Sequence, residues 1–197
     1  MSKTKSDIEK VLTQGPRTDL SKDFSRASGV ALLLCEEAGH LEVLFIKRAL
    51  NPSDNWSGHL AFPGGKKDET DASLLDACVR EVREEVGVIL DQSCLIGSLD
   101  DLQARKRGNL LEFYIQPFVF YLPQKPKLIP DPKEVERTLW VSLDYLLNVA
   151  NRTEYKFQRD NMKLALPAIQ FPDGDVLWGL TYMMIQNLFW KIQNYRQ

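Results

Sequence analysis

Two periods organise the apolar positions of this chain. Short β-like runs cover residues 31–35 and 42–47, and the turn signal Glu36-Glu37-Ala38-Gly39 between them predicts a hairpin. Longer strand-like runs cover 95–102 and 110–122, followed by a strand over 138–141 and a hairpin-like region over 155–171. Helical signals are fewer. They predict a short helix over 6–14 capped by Ser6 or Asp7, and a second from Asp71 or Ser73 to Gly87. One turn of helix capped by Ser142 runs to Leu147, and a last helix covers 177–192. Gly87 supplies the left-handed cap at the end of the second helix. Residues 51–58 and the proline-rich 123–132 read as loops. The order predicts an α+β fold in which a helix and polar arm over 1–27 precede one domain over 28–197.

Composition narrows the function classes. A chain of 197 residues with 44% hydrophobic and 26% charged residues can bury one sizeable core. A net charge of −2 leaves no broad basic surface, so nucleic acid is not an expected partner. The basic run Arg105-Lys106-Arg107 reads as a hairpin tip, still able to meet a substrate phosphate. Cys35, Cys78 and Cys94 show no metal or redox spacing and suit reduced, buried thiols. With His40 and His59 the only histidines, a histidine metal centre or a Ser-His-Asp triad is not expected. The most apolar stretch, 176–190, is shorter than a membrane span and carries Gln186 and Asn187. The N-terminal residues are polar, and Tyr195-Arg196-Gln197 is not a peroxisomal address. The expectation is a cytoplasmic protein, monomeric or homodimeric, that does not engage membranes.

Candidate chemistry concentrates between residues 62 and 88. Phe62-Pro63-Gly64-Gly65 leads through an acidic loop to Arg80-Glu81-Val82-Arg83-Glu84-Glu85-Val86-Gly87-Val88. On a helix, Glu81, Glu84 and Glu85 fall at about 0°, 300° and 40°, within one arc of roughly 100°. Such a segment is most often a solvated face held by pairs such as Arg80 with Glu84. Fixing Gly65, Arg80, Glu81, Glu84, Glu85 and Gly87 at set spacings, however, has a chance probability of about 10⁻⁷ or less per start position. Clustered carboxylates repel and resist desolvation, and a hard cation relieves both penalties. Oxygen-only donors favour Mg2+, with Mn2+ as the other candidate, over zinc.

These residues resemble the Nudix box. Gly65 takes its first position, and Arg80 through Val88 fit its last nine. Six residues after Gly65, Asp71 stands where the family has Glu, with eight residues instead of seven between it and Arg80, and the resemblance makes its pairing with Arg80 structural. It implies the Nudix fold, an α/β/α sandwich with a mixed β-sheet and a catalytic loop-helix-loop. It also implies hydrolysis of a nucleoside diphosphate linked to another group, with Glu81, Glu84 and Glu85 as metal ligands. Glu85 would be ligand or base. Glu134, in Asp131-Pro132-Lys133-Glu134-Val135, would be a second acid facing the site or else a solvated loop residue.

Outside the box the chain is similar to the branch that hydrolyses coenzyme A. The resembling stretches include Phe45-Ile46-Lys47-Arg48-Ala49, Gly58-His59-Leu60-Ala61-Phe62-Pro63-Gly64-Gly65 and Leu177-Trp178-Gly179-Leu180-Thr181, and the similarity spans roughly residues 28–190. The implied products are 3′,5′-ADP and 4′-phosphopantetheine. Arg48, Lys47, Trp56, Gly64 and Gly65 are the expected substrate contacts, with Trp56 stacking on a base or sugar or else filling core. Two features depart from the branch: the gap from Arg48 to Gly58 is one residue longer, and Asp54 stands where an arginine is expected, which disfavours a 3′-phosphate. Hydrolysis of a nucleotide sugar, dinucleotide or nucleoside triphosphate therefore stays open. So does a Nudix-fold module that only binds a nucleotide or protein.

Overall fold

The computed structural model describes residues 3–14, 16–52, 56–106, 109–159 and 162–195. Helix α1 (Lys5–Thr13) precedes β1 (Ala27–Glu37) and β2 (His40–Arg48), then the short β3 (Leu60–Ala61) and β4 (Gly64–Lys66). Helix α2 (Leu74–Val86) leads to β5 (Leu95–Ser98), β6 (Leu102–Lys106), β7 (Asn109–Leu122) and β8 (Val135–Ser142). The chain continues through α3 (Leu143–Leu147), β9 (Arg152–Arg159), β10 (Met162–Gln170), β11 (Val176–Leu177) and α4 (Gly179–Asn194).

The main sheet runs β3-β2-β1-β7-β5, with β4 on β1, β6 on β7 and β8 on β2. It is mixed, because β1 and β7 are parallel while β1 and β2 form an antiparallel hairpin. Side-chain alternation explains why both faces are covered. Leu32, Leu34, Val43, Phe45 and Val119 pack with α1, α3 and α4 on one face. Leu33, Leu44, Ile46 and Phe120 pack with Cys78, Val82 and Val86 of α2 on the other. Fully burying each such side chain contributes about 1.5–3 kcal/mol. The result is the expected α/β/α sandwich. Strands β9, β10 and β11 form a separate antiparallel sheet.

Three boundaries differ from the sequence expectations. Helix α1 is capped by Thr4, not Ser6 or Asp7. Thr4 Oγ1 accepts from the Asp7 N–H at 3.3 Å while the Asp7 carboxylate accepts from the Thr4 N–H at 3.0 Å, so two end groups are satisfied reciprocally. The run 95–102 is not one strand but the whole of β5 and the first residue of β6. Its interruption follows from two carboxylates drawn out of the ladder. Asp101 is buried and accepts from Arg17 and from the Leu20 N–H at 2.9 Å, while Asp100 accepts from Asn187 Nδ2 at 2.7 Å. The last helix begins at Gly179 because Val176 and Leu177 pair with Gln170 and Ile169 of β10. Among the described residues, no helix is long and apolar enough to cross a membrane.

Candidate active site

Strands β1 and β2 pair from Leu34 opposite Val43 to the hairpin end. Toward the other end β3 pairs with β2, and β4 lies along β1 with Gly64 opposite Val30 and Gly65 opposite Gly29. Pro63 is tied in by its carbonyl, which accepts from the Ala31 N–H at 2.8 Å. Gly64 adopts φ +142°, and a Cβ there would lie 2.3 Å from the Gly29 carbonyl oxygen. A Cβ on Gly65 would lie 2.2 Å from Glu81 Cδ. The two glycines thus let this turn lie against β1 and the carboxylate edge of α2.

Helix α2 starts where Ser73 Oγ accepts from the Asp76 N–H at 3.1 Å and ends at Gly87 in the left-handed conformation. Its apolar face is fixed on the sheet, which leaves the three glutamates in graded environments. The Glu85 side chain is 2% exposed, Glu81 18% and Glu84 57%. Glu85 Oε2 accepts from the Gly64 N–H at 2.7 Å, and Oε1 lies 3.6 Å from Arg48 Nη1. Burial pushes the Glu85 carboxyl up to about 8 against the opposing pull of Gly64 and Arg48, and the charges of Glu81 and Glu134 push the same way as burial. Glu81 is also raised, first by burial, with Arg80 opposing and Glu84 and Glu134 adding to the shift.

Arg80 braces the loop to the helix. Its Nε and Nη2 donate to the two oxygens of Asp71 at 3.0 and 2.9 Å, Nη2 also to the Lys66 carbonyl at 3.2 Å. Nη1 reaches Glu81 at 2.9 Å and Glu84 at 3.2 Å. The pair with Arg80 and the Asp68 N–H hold the Asp71 carboxyl down at about 2. Because its folded value is depressed, Asp71 contributes stability above the ordinary carboxylate range that is lost as pH falls through about 2. Thermal melts of Asp71→Asn should therefore fall below those of the parent protein at neutral pH, with the gap closing near pH 2.

The remaining expected residues divide. Arg48, at the end of β2, reaches Glu85. Lys47 points to the opposite face, with Phe45, where its Nζ lies 3.1 Å from Glu136 and 3.3 Å from Asp175. The structure does not bring it to the carboxylate cluster. Glu134 is exposed, yet close enough for its charge to raise both Glu81 and Glu85. Trp56 is half-buried in the loop before β3, its carbonyl accepting from the His59 N–H at 3.2 Å. Asp54 and Arg107 lie outside the described residues. The sequence reading passed over Asp131, whose N–H donates to the Glu85 carbonyl at 3.0 Å. The proline-rich run flagged a loop there but not its attachment to α2.

The donor set suits a hard cation: oxygen ligands only, two of them partly or wholly desolvated and raised by that burial first and by neighbouring carboxylates after it. As the side chains stand, no three acidic, histidine or cysteine groups among the described residues close a shell around one point. Glu81 and Glu84 instead share Arg80 Nη1.

The mixed sheet sets a carboxylate helix beside a glycine turn, and this arrangement places the chain in a known class of domain. The NUDIX domain profile matches residues 25–163, and the chain belongs to that family. Nudix enzymes generally use divalent metal ions. Nudix hydrolase 15, mitochondrial, of Arabidopsis thaliana is 32% identical over 172 residues, covering 82% of this chain and 58% of that protein. An uncharacterized Schizosaccharomyces pombe protein is 37% identical over 108 residues, 53% of this chain and 33% of its own length. The chain thus spans about a third to three-fifths of these two relatives. The fold is shared with a MutT/nudix family protein from Enterococcus faecalis, at a TM-score of 0.59 and 16% identity, covering 98% of this chain and 76% of that one.

Proposed function

We propose that this chain is a divalent-metal-dependent diphosphatase acting on a nucleoside diphosphate linked to a second group, with coenzyme A or a derivative as substrate. The observation that carries the reading is Glu85, a buried carboxylate aimed by the Gly64 N–H and flanked by Arg48, Glu81 and Glu134. Membership of the family and 32% identity to a relative named as a Nudix hydrolase support hydrolysis. Glu81, Glu84 and Glu85 would hold the ion, Mg2+ or Mn2+, which supplies positive charge at the diphosphate oxygens and acidifies water.

The chain's own groups do the rest. Arg48 would bind a phosphoryl oxygen in the charge-assisted manner suited to guanidinium. A water oxygen bonds to one phosphorus, the bridging P–O bond breaks, and Glu134 takes the water proton. Positioning and electrostatics carry the rate, with little covalent work for the protein. Asp54, in place of the arginine of the coenzyme A branch, favours the second reading, hydrolysis of another nucleotide.

Purified protein with magnesium and a panel of coenzyme A, nucleotide sugars, dinucleotides and nucleoside triphosphates separates these readings, with products read by mass. The expected products are 3′,5′-ADP and 4′-phosphopantetheine, reduced about a hundredfold or more by Glu84→Gln. Turnover of another panel member alone keeps the chemistry and rejects coenzyme A. No turnover with any divalent ion rejects the enzyme and leaves a binding module.

A further inference from the structure

The end of the proline-rich loop, just before β8, takes over hydrogen bonds that α2 leaves open at its C-terminus. The Ile129 N–H donates to the Val86 carbonyl at 2.9 Å, and the Asp131 N–H to the Glu85 carbonyl at 3.0 Å. Asp131 then closes a tight turn. Its carbonyl accepts from the N–H groups of Glu134 at 3.0 Å and Val135 at 2.8 Å, and its Oδ1 accepts from the Lys133 N–H at 2.9 Å. At the far side of the turn, the Glu134 carbonyl accepts from the Ala49 N–H at 2.8 Å, next to Arg48. A single residue thus hangs from the peptide of Glu85 and sets where Glu134 begins.

We propose that Asp131 is a positioning residue: hung on the Glu85 carbonyl, and with its carboxylate closing the 131–134 turn, it holds Glu134 in register with Glu85 and Arg48. The proposal rests on the hydrolase reading and on Glu134 acting in it. The proline at 132 is pre-set for the turn, with φ near −65°, but cannot supply the Lys133 bond. That bond belongs to the Asp131 side chain, so the residue's effect on catalysis passes through Glu134 and not through α2.

The test measures kcat and KM for Asp131→Ala, Asp131→Asn, Glu134→Gln and the Asp131→Ala/Glu134→Gln double variant on the substrate found in the panel. Manganese dissociation constants are taken for the same proteins by electron paramagnetic resonance. Asp131→Ala should lose about tenfold in kcat with KM and manganese affinity within about twofold, since Glu81, Glu84 and Glu85 stay in place. Asp131→Asn should recover most of the loss, because its amide oxygen still accepts from the Lys133 N–H. On the Glu134→Gln background the alanine should add nothing. Losses that multiply in the double variant, or a manganese affinity that falls with Asp131→Ala, would show Asp131 acting through the helix and overturn the proposal alone. Full activity in Glu134→Gln overturns it too and leaves the hydrolase reading standing. Absence of turnover in the parent protein overturns both.

Discussion

Glu85→Gln should abolish turnover, by about 10³-fold, while raising the melting temperature of the protein in chelator at pH 8. The two effects have one cause. Glu85 is buried at 2% exposure with its carboxyl raised to about 8, so the fold holds it protonated where the unfolded chain, near 4.5, does not. The native state then binds more protons than the unfolded state between those values. Stability is full below about 4.5, falls as pH rises through the window, and levels off above about 8. A glutamine keeps an acceptor for the Gly64 N–H and has no charge to desolvate. The gain at pH 8 should be about 4 kcal/mol, or roughly 8–16 °C, shrinking toward zero near pH 4.5. Magnesium should stabilise the parent protein by mass action and leave the variant unmoved. Calorimetry at several pH values, with chelator and then with magnesium, reads all of this. A variant that melts below the parent in chelator at pH 8 would refute the argument.

Gly64→Ala should cost about 4 kcal/mol, a large part of the stability of a typical domain. The methyl group would run into the backbone of β1: the Gly29 oxygen at 2.3 Å, Val30 Cα at 2.6 Å and the Gly29 carbonyl carbon at 3.1 Å. Its φ of +142° adds strain that a side chain rarely tolerates. At Gly65 the nearest atoms are the end of the Glu81 side chain, which can rotate aside. A thermal melt of Gly64→Ala should drop by about 8–16 °C. A drop of only a degree or two would mean that the turn does not hold this geometry in solution.

Much of the molecule was legible before any coordinates. Apolar runs and turn signals marked β1, β2 and β7, Asp71 or Ser73 and Gly87 bracketed α2, and the spacing of Glu81, Glu84 and Glu85 placed them along one edge of that helix. These features are local: dihedral preference, capping and periodicity act over a few residues, so a single sequence carries them. The same reasoning failed at 95–102, where Asp100 and Asp101 answer to Asn187, Arg17 and the Leu20 amide, groups remote in the chain.

The sequence by itself determined that three glutamates share a helix edge after a glycine turn, and its resemblance to the Nudix box implied the pairing of Asp71 with Arg80. Only the tertiary structure decided which glutamate is desolvated. Glu81, Glu84 and Glu85 are chemically identical, and burial depends on what packs above the helix: the Gly64 turn and Arg48 over Glu85, solvent over Glu84. Register made a similar choice between neighbours, sending Arg48 to Glu85 and Lys47 to Asp175 on the other face. Desolvation and strand facing are set by contacts between distant segments, and those contacts exist only once the chain has closed on itself.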